Sequence, residues 1–133
     1  MVDYIGHFSL WGDFQVEDIT NLLGMQPSQV IRKGDFLEGA SSPSTVSTWD
    51  LHCPLGAGQS MQEQISGLLN ILWPKADVLK SLASQFHAEL NVANSHTDGS
   101  AVLSLDHELL QKLAALHLKL NCFYIGDEVT NGD

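Results

Sequence analysis

Basic residues are scarce in this sequence. Lys and Arg number six against sixteen Asp and Glu, a formal net charge of −10. Nucleic acids are held largely through Lys and Arg contacts to phosphate, so this chain is not expected to bind DNA or RNA. An acidic surface attracts basic partners and speeds their encounter. Cysteine is almost missing too: Cys53 and Cys122 are the only two. Two thiols make no disulfide framework, and a reducing cytoplasm is the expected compartment. Met1-Val2-Asp3-Tyr4 carries no basic stretch followed by an apolar core, so no secretory leader is expected there. No apolar run reaches the roughly 18 residues that a membrane span needs, so no membrane association is expected.

Several catalytic signatures are absent as well. There is no His-x-x-x-His or Cys-x-x-Cys, no Gly-x-x-x-x-Gly-Lys phosphate loop and no Gly-x-Ser-x-Gly elbow. No metal, cofactor or catalytic residue is therefore expected, and a non-enzyme is favoured over an enzyme.

What is present is the composition of one globular domain. With 133 residues the chain can bury a single core. At 44% apolar and 17% charged it is no disordered polyampholyte. Residues 3–125 are expected to be ordered and the acidic tail 126–133 frayed.

Periodicity lays out the elements in order. Tyr4 to Trp11 alternates as a strand, with Tyr4, Gly6, Phe8 and Leu10 opposite Ile5, His7, Ser9 and Trp11. Asp13 is a candidate N-cap for a helix whose stripe is Val16, Ile19, Leu22 and Leu23, stopped by Gly24. Val30 and Ile31 suit a short edge strand, and residues 39–47 read as a mobile Ser/Gly-rich loop. Thr48 to Cys53 is the next strand, with Trp49, Leu51 and Cys53 inward.

Ser60 and Glu63 form a capping box ahead of Ile65, Leu68, Leu69 and Leu72. Pro74 breaks that helix, and Leu79 and Leu82 continue its apolar face. Phe86 to Ala93 alternates cleanly, and after an Asp98-Gly99 turn a short strand is expected over Ala101 to Leu105. Asp106 caps a helix with Leu109, Leu110, Leu113 and Leu116 buried. Leu118 to Tyr124 forms the last strand, with Leu118, Leu120, Cys122 and Tyr124 inward. The order is β-α-β-α-β-β-α-β. Its part from Thr48 onward is the split β-α-β, ferredoxin-like order. The expected class is α+β: an antiparallel or mixed sheet with helices on one face and the other face open.

Separated pieces of the chain resemble one family. They are Phe8-Ser9-Leu10-Trp11-Gly12-Asp13, Leu22-Leu23-Gly24 with Pro27-Ser28, Arg32-Lys33-Gly34-Asp35, Trp49-Asp50-Leu51, Leu103-Ser104-Leu105, Glu108-Leu109-Leu110 and Leu113-Ala114. In this order and spacing they resemble the bacterial family catalogued as domain of unknown function 4279, over about Phe8 to Tyr124. The resemblance implies a bacterial cytosolic protein of a mostly single-domain family and no catalytic residue set. The family's last strand usually carries acids, where this chain has Asn121-Cys122-Phe123, so the resemblance carries over no role tied to those acids.

Two constellations could bind something. Arg32, Lys33 and Asp35, with Trp49 as a stacking wall, could form a small-anion or carboxylate site. The plainer alternative pairs Arg32 with an acid, uses Gly34 for a turn and puts Trp49 in the core, which its parity mates Leu51 and Cys53 favour. On the uncovered sheet face, strand parity collects His7, Trp11, Asp50, His52, His87 and Glu89. That set suits contact with a partner, made pH-sensitive by the imidazoles. The expected role is a protein-binding module with a basic partner, and an immunity protein that neutralises a basic toxin is one such module. Self-association into a homodimer through the open face or an edge strand is a compatible outcome. The alternative is an anion-binding or enzymatic domain centred on Arg32-Lys33-Gly34-Asp35.

Overall fold

Period-two alternation builds a five-stranded sheet. A computed structural model of the chain describes residues 6–54, 60–94 and 104–124. The strands are β1 (His7–Gly12), β2 (Gln29–Ile31), β3 (Ser47–His52), β4 (His87–Asn94) and β5 (Lys119–Tyr124), laid side by side as β2-β3-β1-β4-β5. Four helices accompany them: α1 (Val16–Leu23), α2 (Met61–Leu72), α3 (Ala76–Gln85) and α4 (His107–Ala115). A 3₁₀ turn over Trp73–Lys75 joins α2 to α3, where Pro74 is tolerated because it falls at the start of a helical segment.

One parity of each central strand faces the helices. Phe8 and Leu10 from β1, Trp49 from β3, and Ala88, Leu90 and Val92 from β4 join Cys53 in one buried core. The helical stripes close over them: Val16, Ile19 and Leu23; Ile65, Leu68, Leu69 and Leu72; Leu79 and Leu82; Leu113 and Leu116. Each such aliphatic side chain contributes roughly 1.5–3 kcal/mol when fully buried. The molecule is therefore an α+β fold with a mixed sheet and helices on one face.

Local chemistry explains the helix ends. The Ser60 hydroxyl accepts from Glu63 N at 3.0 Å, and the Glu63 carboxylate accepts from Ser60 N at 3.0 Å, a complete capping box. Asp106 caps α4 by accepting from Leu109 N at 3.0 Å. Gly24 ends α1 in the left-handed region at φ 68°, where a Cβ would be strained.

Several expectations need correction. Asp13 does not cap α1: Gln15 holds that position without a side-chain bond, and Asp13 pairs with Lys33 instead. Leu22 and Leu110, expected in buried stripes, are 49% and 50% exposed, because among the described residues no element covers that side of α1 or α4. Cys53 is buried but Cys122 is exposed, since β5 is an edge strand. The expected strand over Ala101 to Leu105 falls mostly outside the described residues, and Ser104 and Leu105 belong to no strand. The turn at Asp98-Gly99 and the acidic tail also lie outside them.

The topology places the interleaved crossovers earlier in the chain than expected. β1 and β2 each run antiparallel to β3, so they are parallel to each other with β3 between. β3 and β4 each run antiparallel to β1, so they too are parallel, with β1 between. Two β-α-β connections thus interleave over β1 to β4, and α4 leads into β5, which adds in parallel beside β4.

One buried polar group ties the layers together. Gln64, on the covered side of α2, donates to Ala93 O at 2.8 Å and accepts from Ala93 N at 3.3 Å. Gly6 permits this approach, because a Cβ there would come within 2.8 Å of the Gln64 carbonyl oxygen.

Candidate functional site

The Arg32-Lys33-Gly34-Asp35 segment forms a tight turn. Asp35 N donates to Arg32 O at 2.9 Å, while the Asp35 carboxylate accepts from Arg32 N at 2.8 Å. Gly34 takes φ 96°, which favours glycine. The long loop that follows is tied back: Gly34 N donates to Ser44 O at 2.8 Å, and Ser44 N to Asp35 O at 2.7 Å. Lys33 N donates to Ser47 Oγ at 3.0 Å. Both bases already face acids. Arg32 pairs with Glu17 of α1, and Lys33 Nζ lies 3.3 Å from Asp13. The backbone N–H at Glu17 and the Arg32 guanidinium hold the Glu17 carboxyl below its ordinary range. Trp49 gives no wall to this turn: it is fully buried, and its Nε1 donates to Thr20 Oγ1 at 3.0 Å. The segment is a clasp between the β2–β3 loop and α1.

The open face of the sheet brings the other candidates together. Register sets three rows across the strands. The middle row runs Gln29, Asp50, Ser9, Glu89, Lys119 from β2 to β5. On one side lies the row Ile31, Thr48, Trp11, His87, and on the other the row His52, His7, Asn91, Asn121.

Glu89 is the centre of the resulting network. Its Oε1 accepts from Asn121 Nδ2 at 2.8 Å and lies 3.0 Å from His87 Nε2. Its Oε2 accepts from Asn91 Nδ2 at 3.0 Å. Burial by itself raises the pKa of such a carboxyl, but the bonds from His87, Asn91 and Asn121 outweigh it and hold Glu89 below 4.5. Glu89 is only 8% exposed although no layer of the described residues covers it; the crowding comes from its neighbours on the face.

Hydrogen-bond chemistry assigns the rings. Asn121 also donates to Asn91 Oδ1 at 3.0 Å, so Asn91 Nδ2 is the donor end of that amide. His7 Nε2, 3.4 Å from Asn91 Nδ2, is therefore the acceptor, and His7 is neutral with its proton on Nδ1. Desolvation lowers the His7 pKa below 6.5; Asp50 and Glu89 pull it up, and neighbouring His52 pushes it down. His87 Nε2 faces a carboxylate and so carries a proton. The His87 ring stacks on Trp11, with centroids 4.0 Å apart and planes at 24°. Ser9 Oγ donates to Asp50 Oδ1 at 2.6 Å, so this hydroxyl is engaged by a carboxylate rather than an imidazole.

The structure thus gathers His7, Trp11, Asp50, His52, His87 and Glu89 on one face, and separates from them Arg32, Lys33 and Asp35 on the turn and Trp49 in the core. Asn91 and Asn121 belong to the Glu89 network and Ser9 binds Asp50 beside it; none of the three was singled out as a site residue from sequence. The parity of Ser9 was visible, but Asn121 needed the β4–β5 register. Among the described residues, no three His, Cys, Asp or Glu side chains are grouped so as to hold a metal ion.

A family model described as "Domain of unknown function (DUF4279)" matches residues 4–125. The chain belongs to the DUF4279 family. The DUF4279 match takes in all five strands and both the clasp and the open face. No curated protein and no solved structure matches the chain. Among the described residues, no helix is long and apolar enough to cross a membrane.

Proposed function

We propose that this DUF4279 domain is a non-enzymatic, cytoplasmic protein-binding module that receives a basic partner on its open sheet face. The observation that carries this reading is the middle row: Asp50 and Glu89 flank the short Ser9 on an uncovered surface. Asp50, half-buried beside Ser9, is the open side of this cradle for a Lys or Arg head group, and the Glu89 charge, two strand spacings or roughly 9.5 Å away across β1, adds attraction although both its oxygens are engaged. Trp11 and His7 close the ends of that cradle, and a neutral His7 adds no repulsion to an incoming cation. The net charge of −10 favours encounter with a basic protein, and neutralisation of a basic toxin is the case it suits best.

Affinity capture from the native host at low and high salt, read by mass spectrometry, tests this. The expected result is a basic protein retained by the wild type at low salt and lost with Asp50→Asn or Trp11→Ser, both variants folded by circular dichroism. A partner held equally by those variants, or no partner at any ionic strength, would refute the reading.

A further inference from the structure

The helix layer carries a second surface, away from the open sheet face. α1 and α3 border an open groove of about 490 Å³. Its floor is apolar: Ile19 and Leu82 lie beneath it, and Phe14 and Phe86 meet edge to face with centroids 5.1 Å apart. Leu22 stands on its rim, half exposed, although it belongs to the apolar stripe of α1. Both charged residues lining the groove are acidic, Asp18 from α1 and Asp77 from α3. Each lies in the first turn of its helix, and neither helix has a base in its last turn.

We propose that this groove docks an amphipathic helix of another protein, with aliphatic anchors on one face and Lys or Arg beside them. The apolar floor and the uncovered Leu22 call for aliphatic side chains at helical spacing, laid between two helices. The acidic rim selects the flanking charge. It also disfavours two other occupants. A second copy would bring another charge of −10, and this chain's own residues 126–133 hold Asp127, Glu128 and Asp133 with no base. The groove and the sheet face are separate, so either site can fail while the other stands.

The test uses the full chain and a fluorescently labelled synthetic peptide helix of Leu and Lys, with Leu at i, i+3, i+4 and i+7. Matched peptides carry Glu for Lys, or Ser for Leu. Fluorescence anisotropy is expected to show saturable binding of the Leu/Lys peptide, weaker at high salt, with the two controls at least tenfold weaker. Amide chemical-shift changes are expected to centre on α1 and α3. Leu22→Ser, at an exposed position that does not endanger folding, is expected to weaken binding about tenfold, from the loss of one buried leucine. Asp18→Asn with Asp77→Asn is expected to remove most of the salt dependence. Asp50→Asn and Trp11→Ser are expected to change nothing. Absence of binding, equal binding of the Glu peptide, indifference to Leu22→Ser, or shifts centred on the sheet face would each overturn the proposal.

Discussion

On the helix-covered face of this sheet, Phe8, Trp49 and Leu90 are fully buried in the apolar core. On the opposite face of the same strands, Ser9, Asp50 and Glu89 stand in one row, Ser9 bonded to Asp50 and Glu89 to His87, Asn91 and Asn121. Phe8 and Ser9 are adjacent in sequence, as are Trp49 and Asp50, and Glu89 and Leu90. The two faces exclude water by different means. On the covered face a second layer does it, so each apolar side chain is stabilised by transfer out of water. On the open face the side chains shield one another, and only hydrogen bonding makes the burial of Glu89 tolerable. The first arrangement supplies stability. The second supplies a hydrogen-bonded, charged surface that no other described residues cover.

That contrast can be broken most forcefully from the covered side. Trp49→Ala empties a large core volume and strips Thr20 of its indole donor, so a loss of about 3–5 kcal/mol in urea unfolding is expected. A loss under about 1 kcal/mol would show that the core does not depend on it.

Glu89→Gln probes the open face with a smaller effect. The new amide turns one acceptor into a donor facing donors, and a cost of about 1–2 kcal/mol at neutral pH is expected. The folded-state pKa of Glu89 is depressed, so its contribution is present above about 4.5 and is lost as pH falls further, through the folded value. The gap between wild type and variant in urea midpoints should therefore close on acidification. A constant gap would mean that the Glu89 charge plays no part.

His7 acts in a higher pH window. Its folded-state pKa is also depressed, so the unfolded chain takes up the proton first, and stability falls as pH drops below 6.5. Facing it are Asp50, His52, Glu89 and Asn91. The His7→Asn variant should show a shallower decline of Tm between neutral pH and the folded-state titration. An unchanged slope would assign the effect to another group.

The smallest effect is expected at the clasp. Arg32 and Glu17 are both more than half exposed, so Glu17→Gln should leave Tm unchanged within error. A drop of several degrees would show that the clasp holds α1 in place.

Much of this could be read from residue order. Alternation in Phe86 to Ala93 put Leu90 inward and Glu89 outward, and the same rule gathered His7, Trp11, Asp50, His52 and His87 on the open face. Parity is a local property of an extended chain and needs no partner strand. Misreadings fell where burial depends on a neighbour. Leu22 and Leu110 sit at helical spacing, yet among the described residues nothing covers that side of their helices, and the Leu22 side opens onto the α1–α3 groove. Cys122 has inward parity but lies on an edge strand.

By itself, then, the sequence determined which residues share a face, where helices start at Ser60 and Asp106, and that the charge is acidic. Those follow from backbone geometry, local hydrogen bonding and composition. Only the tertiary structure decided that β1 lies between β3 and β4. With that, it placed Ser9 between Asp50 and Glu89, set Asn121 against Glu89, and gave Arg32 an acid from α1. Such neighbours come from strand order and helix packing, which join segments distant in the chain and leave no periodic trace in it.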